Sequence, residues 1–376
     1  MKKVGVLGGG QLGMMMQEAV GTMPIELHFL DPDPLCSARA VSSRVVLGSF
    51  KDEATVMAFC EDKDVITVEI EHVNIQALYR LEDEGKEVYP QPSVLECIQD
   101  KGSQKEFFKE QGIPTAPFEL LQNGKDALKS GWIPPFVLKA RTGGYDGKGV
   151  QLIRTEADME KAFEGPCVIE ALAPIKKELA IIVARNVECE MSCFPVVEMD
   201  FEPELNLVRA VLSPALIPVE VAEKAAEISM DLIDAWGMVG ILAVEFFWCE
   251  DGALWVNEVA PRPHNSGHHS IEGNMCSQFE QHLRTIAGMD LGNPGLKSPA
   301  AMVNLLGADG FQGSPVLENK ELLTKGGPAF LHDYHKSVTR PGRKMGHLTV
   351  IGDELEGAFE QALELRMKLR YISSES

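Results

Sequence analysis

Basic charge is scarce in this sequence: 35 Lys and Arg stand against 56 Asp and Glu, a formal net charge of -21 over 376 residues. A chain that acidic lacks the basic footprint that non-specific nucleic-acid binding requires, and no nucleic-acid partner is expected. Long apolar runs are missing as well. No stretch approaches the roughly 20 apolar residues of a membrane span, and no membrane partner is expected. The opening MKKVGVLGGG has neither the extended apolar region nor the small-residue cleavage site of a secretory leader. It reads as a first strand, and a cytoplasmic location is the expectation. Eight cysteines are present but no C-x-x-C, and Cys189 and Cys193 are the closest pair. In a chain of this length that is no disulfide framework; Cys60, Cys167 and Cys249 lie in apolar runs and read as reduced, buried thiols. The P-loop pattern G-x-x-x-x-G-K-[ST] is absent, as are internal repeats and low-complexity segments.

What is present is ordinary in bulk and specific in detail. Hydrophobic residues make up 45% and charged residues 24%, typical of a globular protein, and the length suggests two or three domains. In residues 1–95, short apolar runs (Val4–Leu7, Ile25–Leu30, Val45–Leu47, Val65–Val68) alternate with helical patterns, which implies a parallel sheet with crossover helices, a Rossmann-like α/β domain. One helical stretch is expected over Ser93–Glu110, followed by a break at Gly112–Thr115. Residues 96–295 form a second unit, with a smaller lobe at about 110–172. Its expected strands include Pro134–Lys139, Leu179–Val183, Val239–Trp248 and Leu254–Val256, and its long helices Val219–Trp236 and Met275–Gly288. Composition resets at Gly292–Gly295, and residues 296–376 read as a small mixed domain.

Gly8–Gly13 fits G-x-G-x-x-G between a strand and a helix, with Asp31 ending the next strand where a dinucleotide's ribose carboxylate would sit. Glycines and a helix N-terminus together suit any phosphate. The motif alone leaves open a dinucleotide, another phosphate, or a tight turn with no ligand. A second glycine loop, Thr142–Gly149, follows Lys139 at the end of an apolar strand and can fold over phosphates, with Lys101 a further cation upstream. Glu170 and Glu178 flank a linker whose peptide groups could meet an adenine edge, although solvated strand ends would read the same way. The strongest pair is Glu245 and Glu258. Each lies in a strand too apolar to carry a charge casually, and the turn Glu250–Gly252 joins them into a hairpin that could bring both acids and Asn257 to one face. Hard oxygen ligands of this kind hold Mg²⁺ together with ATP phosphates, and burying two carboxylates without a cation is costly. The histidines of Ala260–His269 invite zinc, but neighbouring Asn, Glu and Arg suit an anion- and Mg²⁺-rich site better.

Taken in order, GGGQLG, GGYDGKG, Glu170…Glu178, Glu245…Asn257-Glu258 and APRPHNSGHH resemble the ATP-grasp superfamily. Within it the chain is similar to the N5-carboxyaminoimidazole ribonucleotide synthetases, whose basic C-terminal signature matches Lys336–His347. The resemblance covers essentially the whole chain. It implies an ATP-grasp fold and the ATP- and bicarbonate-dependent carboxylation of 5-aminoimidazole ribonucleotide, by a homodimer. ATP would be held by Lys101, Lys139, Gly144, Tyr145, Asp146, Gly147, Lys148, Gly149, Val150, the linker Glu170, Ala171, Leu172 and Ala173, and Glu178, with Asn257 and Glu258 beside it. Mg²⁺ would be held by Glu245, Glu258 and Asn257. The ribonucleotide would contact Gln11, Leu12, Glu71, Tyr145, Asp146, Arg262, Lys336 and Arg343, of which Tyr145, Asp146, Arg262, Lys336 and Arg343 would serve the chemistry.

One position departs from the family. A histidine usual near the nucleotide is replaced at the end of Pro195–Phe201, where Phe201 cannot donate a hydrogen bond and an apolar contact is expected instead. Three competing readings remain: a related ATP-grasp ligase such as a formate-dependent ribonucleotide formyltransferase, against which the basic tail argues; an NAD-dependent oxidoreductase, which leaves Glu245, Glu258 and the second loop unexplained; and a non-catalytic nucleotide binder, which needs no carboxylate pair.

Overall fold

The computed structural model describes residues 1–143, 149–202, 207–324 and 328–373. The strand–helix alternation at the start folds into five parallel strands, β1 (Lys2–Leu7), β2 (Ile25–Asp31), β3 (Val45–Leu47), β4 (Val65–Val68) and β5 (Glu87–Val88), in the order β3-β2-β1-β4-β5. Helices α1 (Gln11–Ala19), α2 (Glu53–Cys60) and α3 (Ile75–Asp83) make the crossovers. The order reverses between β1 and β4, so the loops leaving these two strands open at the crevice where such sheets bind ligands.

The helical stretch expected over Ser93–Glu110 is two helices, α4 (Pro92–Gln99) and α5 (Lys101–Glu110). Asp100 between them is extended, and its carboxylate caps α5 by accepting from the backbone of Gly102 and Ser103. An aspartate at the N-cap is a start signal, and apolar periodicity on both sides masked it.

A smaller lobe follows, an antiparallel sheet of β6 (Phe118–Leu121), β7 (Phe136–Ala140), β8 (Val150–Ile153) and β9 (Cys167–Ala171) in the order β6-β9-β7-β8. The main sheet comprises β10 (Ile175–Arg185), β11 (Met191–Cys193), β12 (Val197–Glu202), β13 (Leu207–Ser213), β14 (Gly240–Cys249) and β15 (Leu254–Ala260). The amphipathic helix α6 (Val219–Ala235) buries Ala225, Ile228, Leu232 and Ile233 against it. After α7 (Ser270–Gly273) and α8 (Gln278–Ala287) the chain enters β16 (Ala300–Leu306), β17 (Pro315–Glu318), β18 (Ala329–Asp333), β19 (Lys344–Ile351), α9 (Leu355–Lys368) and β20 (Arg370–Ser373).

The compositional reset at Gly292–Gly295 does not separate two sheets. β16 pairs with β13, and the main sheet runs β15-β14-β10-β12-β13-β16-β19-β18 without interruption. The C-terminal segment therefore shares a backbone ladder with the central unit, which places its basic turn at a fixed distance from the hairpin β14–β15. Among the described residues no helix is long and apolar enough to cross a membrane, and all eight cysteines are free thiols.

Candidate active site

Sheet register assembles the acidic centre. Glu245 on β14 pairs directly with Glu258 on β15, and Ala180 on β10 pairs with Glu245 from the other side. Glu178, two residues before Ala180, shares their face because side chains alternate along a strand. Adjacent residues such as Asn257 and Glu258 would ordinarily point to opposite faces. A bulge after Glu245 inserts Asn257 as an extra residue on β15, and the kink lets Asn257 accept a hydrogen bond from Lys139 Nζ at 2.9 Å while Glu258 accepts from Lys101 Nζ at 2.6 Å. The hairpin face expected from the sequence thus depends on an irregularity.

The cations come from the smaller lobe and α5. Lys139 and Glu170 lie on the same face of neighbouring strands, Glu170 being opposite Val137, and form an ion pair at 2.9 Å. The other oxygen of Glu170 lies 3.3 Å from the ammonium of Lys105, which also donates to Thr115 Oγ1 at 2.5 Å. Lys105 is 2% exposed. Burial pulls its amine down to about 8 against the raising effect of Glu170. Burial works against ionisation of Glu170 too, but the Lys139 and Lys105 charges outweigh it and hold that carboxyl below its ordinary range. Sequence reading overlooked Lys105, although it stands one helical turn after Lys101 on α5 and so faces the same way.

Burial pushes Glu245 up to about 8, with the charges of Glu258 and Glu178 adding to it, and pushes Glu178 up to about 7. Glu258 is held low despite its own burial because Lys101 supplies both charge and hydrogen bond. Three acids share one face, with Lys101 bonded to Glu258, and among them the pair Glu245 and Glu258 could hold a cation only if other oxygens completed its shell. All their donors are oxygens, and the described residues contain no group of three or more His, Cys, Asp or Glu arranged to hold a metal. A carboxylate pair completed by substrate oxygens is how Mg²⁺ is commonly bound, so Glu245 and Glu258 fit that ion, with the Asn257 amide oxygen turned towards Lys139. The zinc reading of the histidines fails on their surroundings. His268 is buried against Gln278, and His269 Nδ1 bonds the Ser266 carbonyl.

Two cavities meet at this centre. The smaller, about 290 Å³, is lined by Lys139, Val150, the linker Glu170–Ala173, Glu178, Asn257 and an apolar wall of Met199, Phe201 and Val208. Phe201 thus stands in the cavity wall as an apolar surface. The larger, about 610 Å³, is lined by Gln11, Leu12, Glu69, Glu71, Lys101, Arg141 and Arg262. Glu245, Glu258, His264, Asn265 and Lys344 line both. The sequence offered His264 only as a candidate for zinc and Lys344 only as part of the basic C-terminal signature, and it placed neither of them, nor Asn265, at the junction of two cavities. Gly144, Tyr145, Asp146, Gly147 and Lys148 lie outside the described residues; Gly149 just beyond them has φ 79° and its carbonyl accepts from Ala140 N at 2.8 Å.

On the larger cavity's wall Arg262 pairs with Glu71 at 2.8 Å. The first glycine loop is already supplied with negative charge by the protein. Asp31 accepts from Gly9 N at 2.7 Å, and Glu69 accepts from Leu12 N at 3.1 Å. Gly8 (φ 111°) has a backbone conformation that favours glycine, and a Cβ on Gly8 or Gly10 would lie 2.7 Å or 2.5 Å from a Glu69 carboxylate oxygen, which would have to move aside. Burial raises Glu69 despite nearby Lys336 and Arg262. Lys336 itself is pulled down by burial, against Glu69, Asp31 and Asp33, so the C-terminal basic turn faces the loops of the first domain. Arg343 donates to the Val338 carbonyl at 2.6 Å. With Asp31 and Leu12 N–H both engaged, calorimetry with NAD and NADP is expected to show no binding; micromolar affinity for either would restore the dinucleotide reading.

A lysine-bearing lobe closing on a carboxylate hairpin defines the chain as an ATP-grasp ligase. Residues 106–279 match the family described as ATP-grasp domain, residues 1–99 the ribonucleotide synthetase preATP-grasp domain, and residues 300–361 the phosphoribosylaminoimidazole carboxylase C-terminal domain. The chain belongs to the N5-carboxyaminoimidazole ribonucleotide synthase family: it is 38% identical to the Bacillus subtilis N5-carboxyaminoimidazole ribonucleotide synthase, over 92% of this chain and 90% of that one. It is 39% identical to the chloroplastic phosphoribosylaminoimidazole carboxylase of Vigna aconitifolia, of whose length it spans 64%. The crystal structure of the Thermotoga maritima N5-carboxyaminoimidazole ribonucleotide synthetase superposes with a TM-score of 0.92 at 41% identity over the whole of both chains. That of the synthase from Aspergillus clavatus, in complex with ADP and 5-aminoimidazole ribonucleotide, does so with 0.87 at 31%, over 97% of each.

Proposed function

We propose that this chain carboxylates the exocyclic amine of 5-aminoimidazole ribonucleotide, consuming ATP and bicarbonate and giving ADP, phosphate and N5-carboxyaminoimidazole ribonucleotide. The observation that carries the reading is the shared wall. Glu245, Glu258, His264, Asn265 and Lys344 border both cavities, as a transfer between a nucleotide and a second substrate requires.

In this reading ATP occupies the smaller cavity. The linker Glu170–Ala173 meets the adenine, Glu178 the ribose, and Lys101, Lys139 and the 144–150 segment the phosphates. Glu245 and Glu258 would hold Mg²⁺, which would neutralise phosphate charge as it develops, and Asn257 keeps Lys139 aimed between them. The ribonucleotide fills the larger cavity against Gln11, Leu12, Glu71 and Arg262. Because Gly9 and Leu12 have spent their N–H groups on Asp31 and Glu69, its phosphate falls to Lys336 and Arg343 more than to the glycine loop.

Bicarbonate oxygen attacks the γ-phosphorus, the bond to the β-phosphate oxygen breaks, and ADP leaves with the electron pair. The carboxyphosphate formed carries a leaving group that bicarbonate lacks. The amine nitrogen then bonds to the carboxyl carbon, directly or after release as CO₂, and phosphate departs. Asp146, with Tyr145 beside it, is the group we assign to orient the amine and take its proton. Arg262 and Lys344 face the carboxyl as it passes between cavities. Positioning and charge neutralisation supply the catalysis. His264, which burial and then Arg262 push down to about 4, stands in the wall shared by the two cavities as a neutral ring.

The test is ADP release measured with each substrate omitted in turn. Release should require both bicarbonate and 5-aminoimidazole ribonucleotide at full rate. Formate replacing bicarbonate would point to a formyltransferase, and acceptor-independent release at the full rate would end the assignment.

A further inference from the structure

The C-terminal segment touches the shared wall at a residue the reaction has not yet used. Asn304 lies on β16, 3% exposed, and forms a reciprocal amide pair with Asn265. Asn265 Nδ2 donates to Asn304 Oδ1 at 2.9 Å, and Asn304 Nδ2 donates to Asn265 Oδ1 at 3.0 Å. Asn304 Nδ2 also donates to the Val208 carbonyl at 3.3 Å. A carbonyl only accepts, so Val208 dictates which end of the Asn304 amide is nitrogen, and the pair passes that orientation to Asn265. An amide has two donors and an oxygen with two lone pairs. Both donors of Asn304 are committed, whereas Asn265 keeps one N–H and one lone pair for the cavities it lines.

The same row of the sheet holds the rest of this turn. Register places His347 opposite both Asn304 and His332. The His347 ring stacks on His332 at 4.4 Å, approaches His268 at 4.8 Å, and accepts or donates at Nδ1 to Tyr334 Oη at 3.0 Å. Asn304 thus meets the first residue of the segment Asn265–His268 and His347 the last.

We infer that Asn304 is a positioning residue, which sets the amide of Asn265 at the junction of the two cavities and so ties the C-terminal sheet to the transfer step; this rests on the proposed carboxylation. Its effect passes through Asn265, and a mutant cycle separates that from a merely structural part. Asn304→Ala should lower kcat/KM for the ribonucleotide about tenfold, the worth of two neutral hydrogen bonds, and raise the ADP formed per carboxylated product. In an Asn265→Ala background the same substitution should change both by less than twofold. Asn304→Asp keeps the volume and one acceptor but removes both donors, and should reproduce this pattern if Asn304→Ala fails to fold. Equal losses in the two backgrounds would overturn the inference, as would an Asn265→Ala enzyme with unaltered rate and stoichiometry. In either case ADP release that still requires bicarbonate and acceptor would leave the reaction itself standing.

Discussion

Glu258→Gln is expected to reduce turnover by about three orders of magnitude while leaving the protein folded. The carboxylate sits in register with Glu245 across a bulged hairpin and is held by Lys101 at 2.6 Å. In the proposed site it is one of two protein charges on Mg²⁺. Its loss leaves phosphate charge unscreened, a deficit of several kcal/mol at roughly 1.4 kcal/mol per tenfold. Stability should move little. Glutamine can still accept from Lys101, and removing one acid relieves the repulsion that helps to raise Glu245. The checks are kcat over a Mg²⁺ titration, the thermal midpoint, which should stay within about 3 °C, and Mg²⁺-dependent nucleotide affinity, which should weaken. Near-normal activity at saturating Mg²⁺ would take Glu258 out of the metal site.

Arg343→Ala should depress kcat/KM for the ribonucleotide about 10²-fold, the size of a lost charge-assisted hydrogen bond of roughly 1.5–3 kcal/mol, and leave the affinity for ATP analogues unchanged within about twofold. Its segment carries Lys336, Arg340, Arg343 and Lys344 in a chain of net charge -21. Gly342 (φ 72°) makes the turn that presents Arg343, whose planar fork suits a phosphate or carboxylate. The proposal gives the segment to the acceptor because Glu69, Asp31 and Asp33, all from the first domain, act on the Lys336 ammonium against its burial. A collapse of nucleotide affinity with the acceptor's KM and turnover preserved would assign the tail to ATP instead.

Several features of this protein were determined by its sequence alone, because they depend on local rules. Alternating apolar runs and helical periods specify the parallel first domain. Glycine loops after strands mark anion sites, and acids inside the apolar strands around Glu245 and Glu258 announce a cation, since burial without one is too costly. The C-terminal basic signature pointed to the family.

What the tertiary structure decided depends on register and on distance along the chain. Asn257 and Glu258 both serve the centre because of a bulge that no pattern announced. Asp31, which sequence spacing offered to a ribose, is bound to Gly9, and Glu69, some sixty residues after the loop, supplies its negative charge; a motif specifies that an anion fits, not which anion arrives. Lys105 carries no signal of its own among the lysines of α5, and only packing sets it, buried, between Glu170 and Thr115. The break at Gly292–Gly295 reads as a boundary, and only the tertiary structure adds that β16 beyond it pairs with β13 and carries Asn304 to the shared wall. Strand pairing between segments about 90 residues apart leaves no periodic trace in either one, because its energy lies in backbone hydrogen bonds that any sequence of suitable pattern can make.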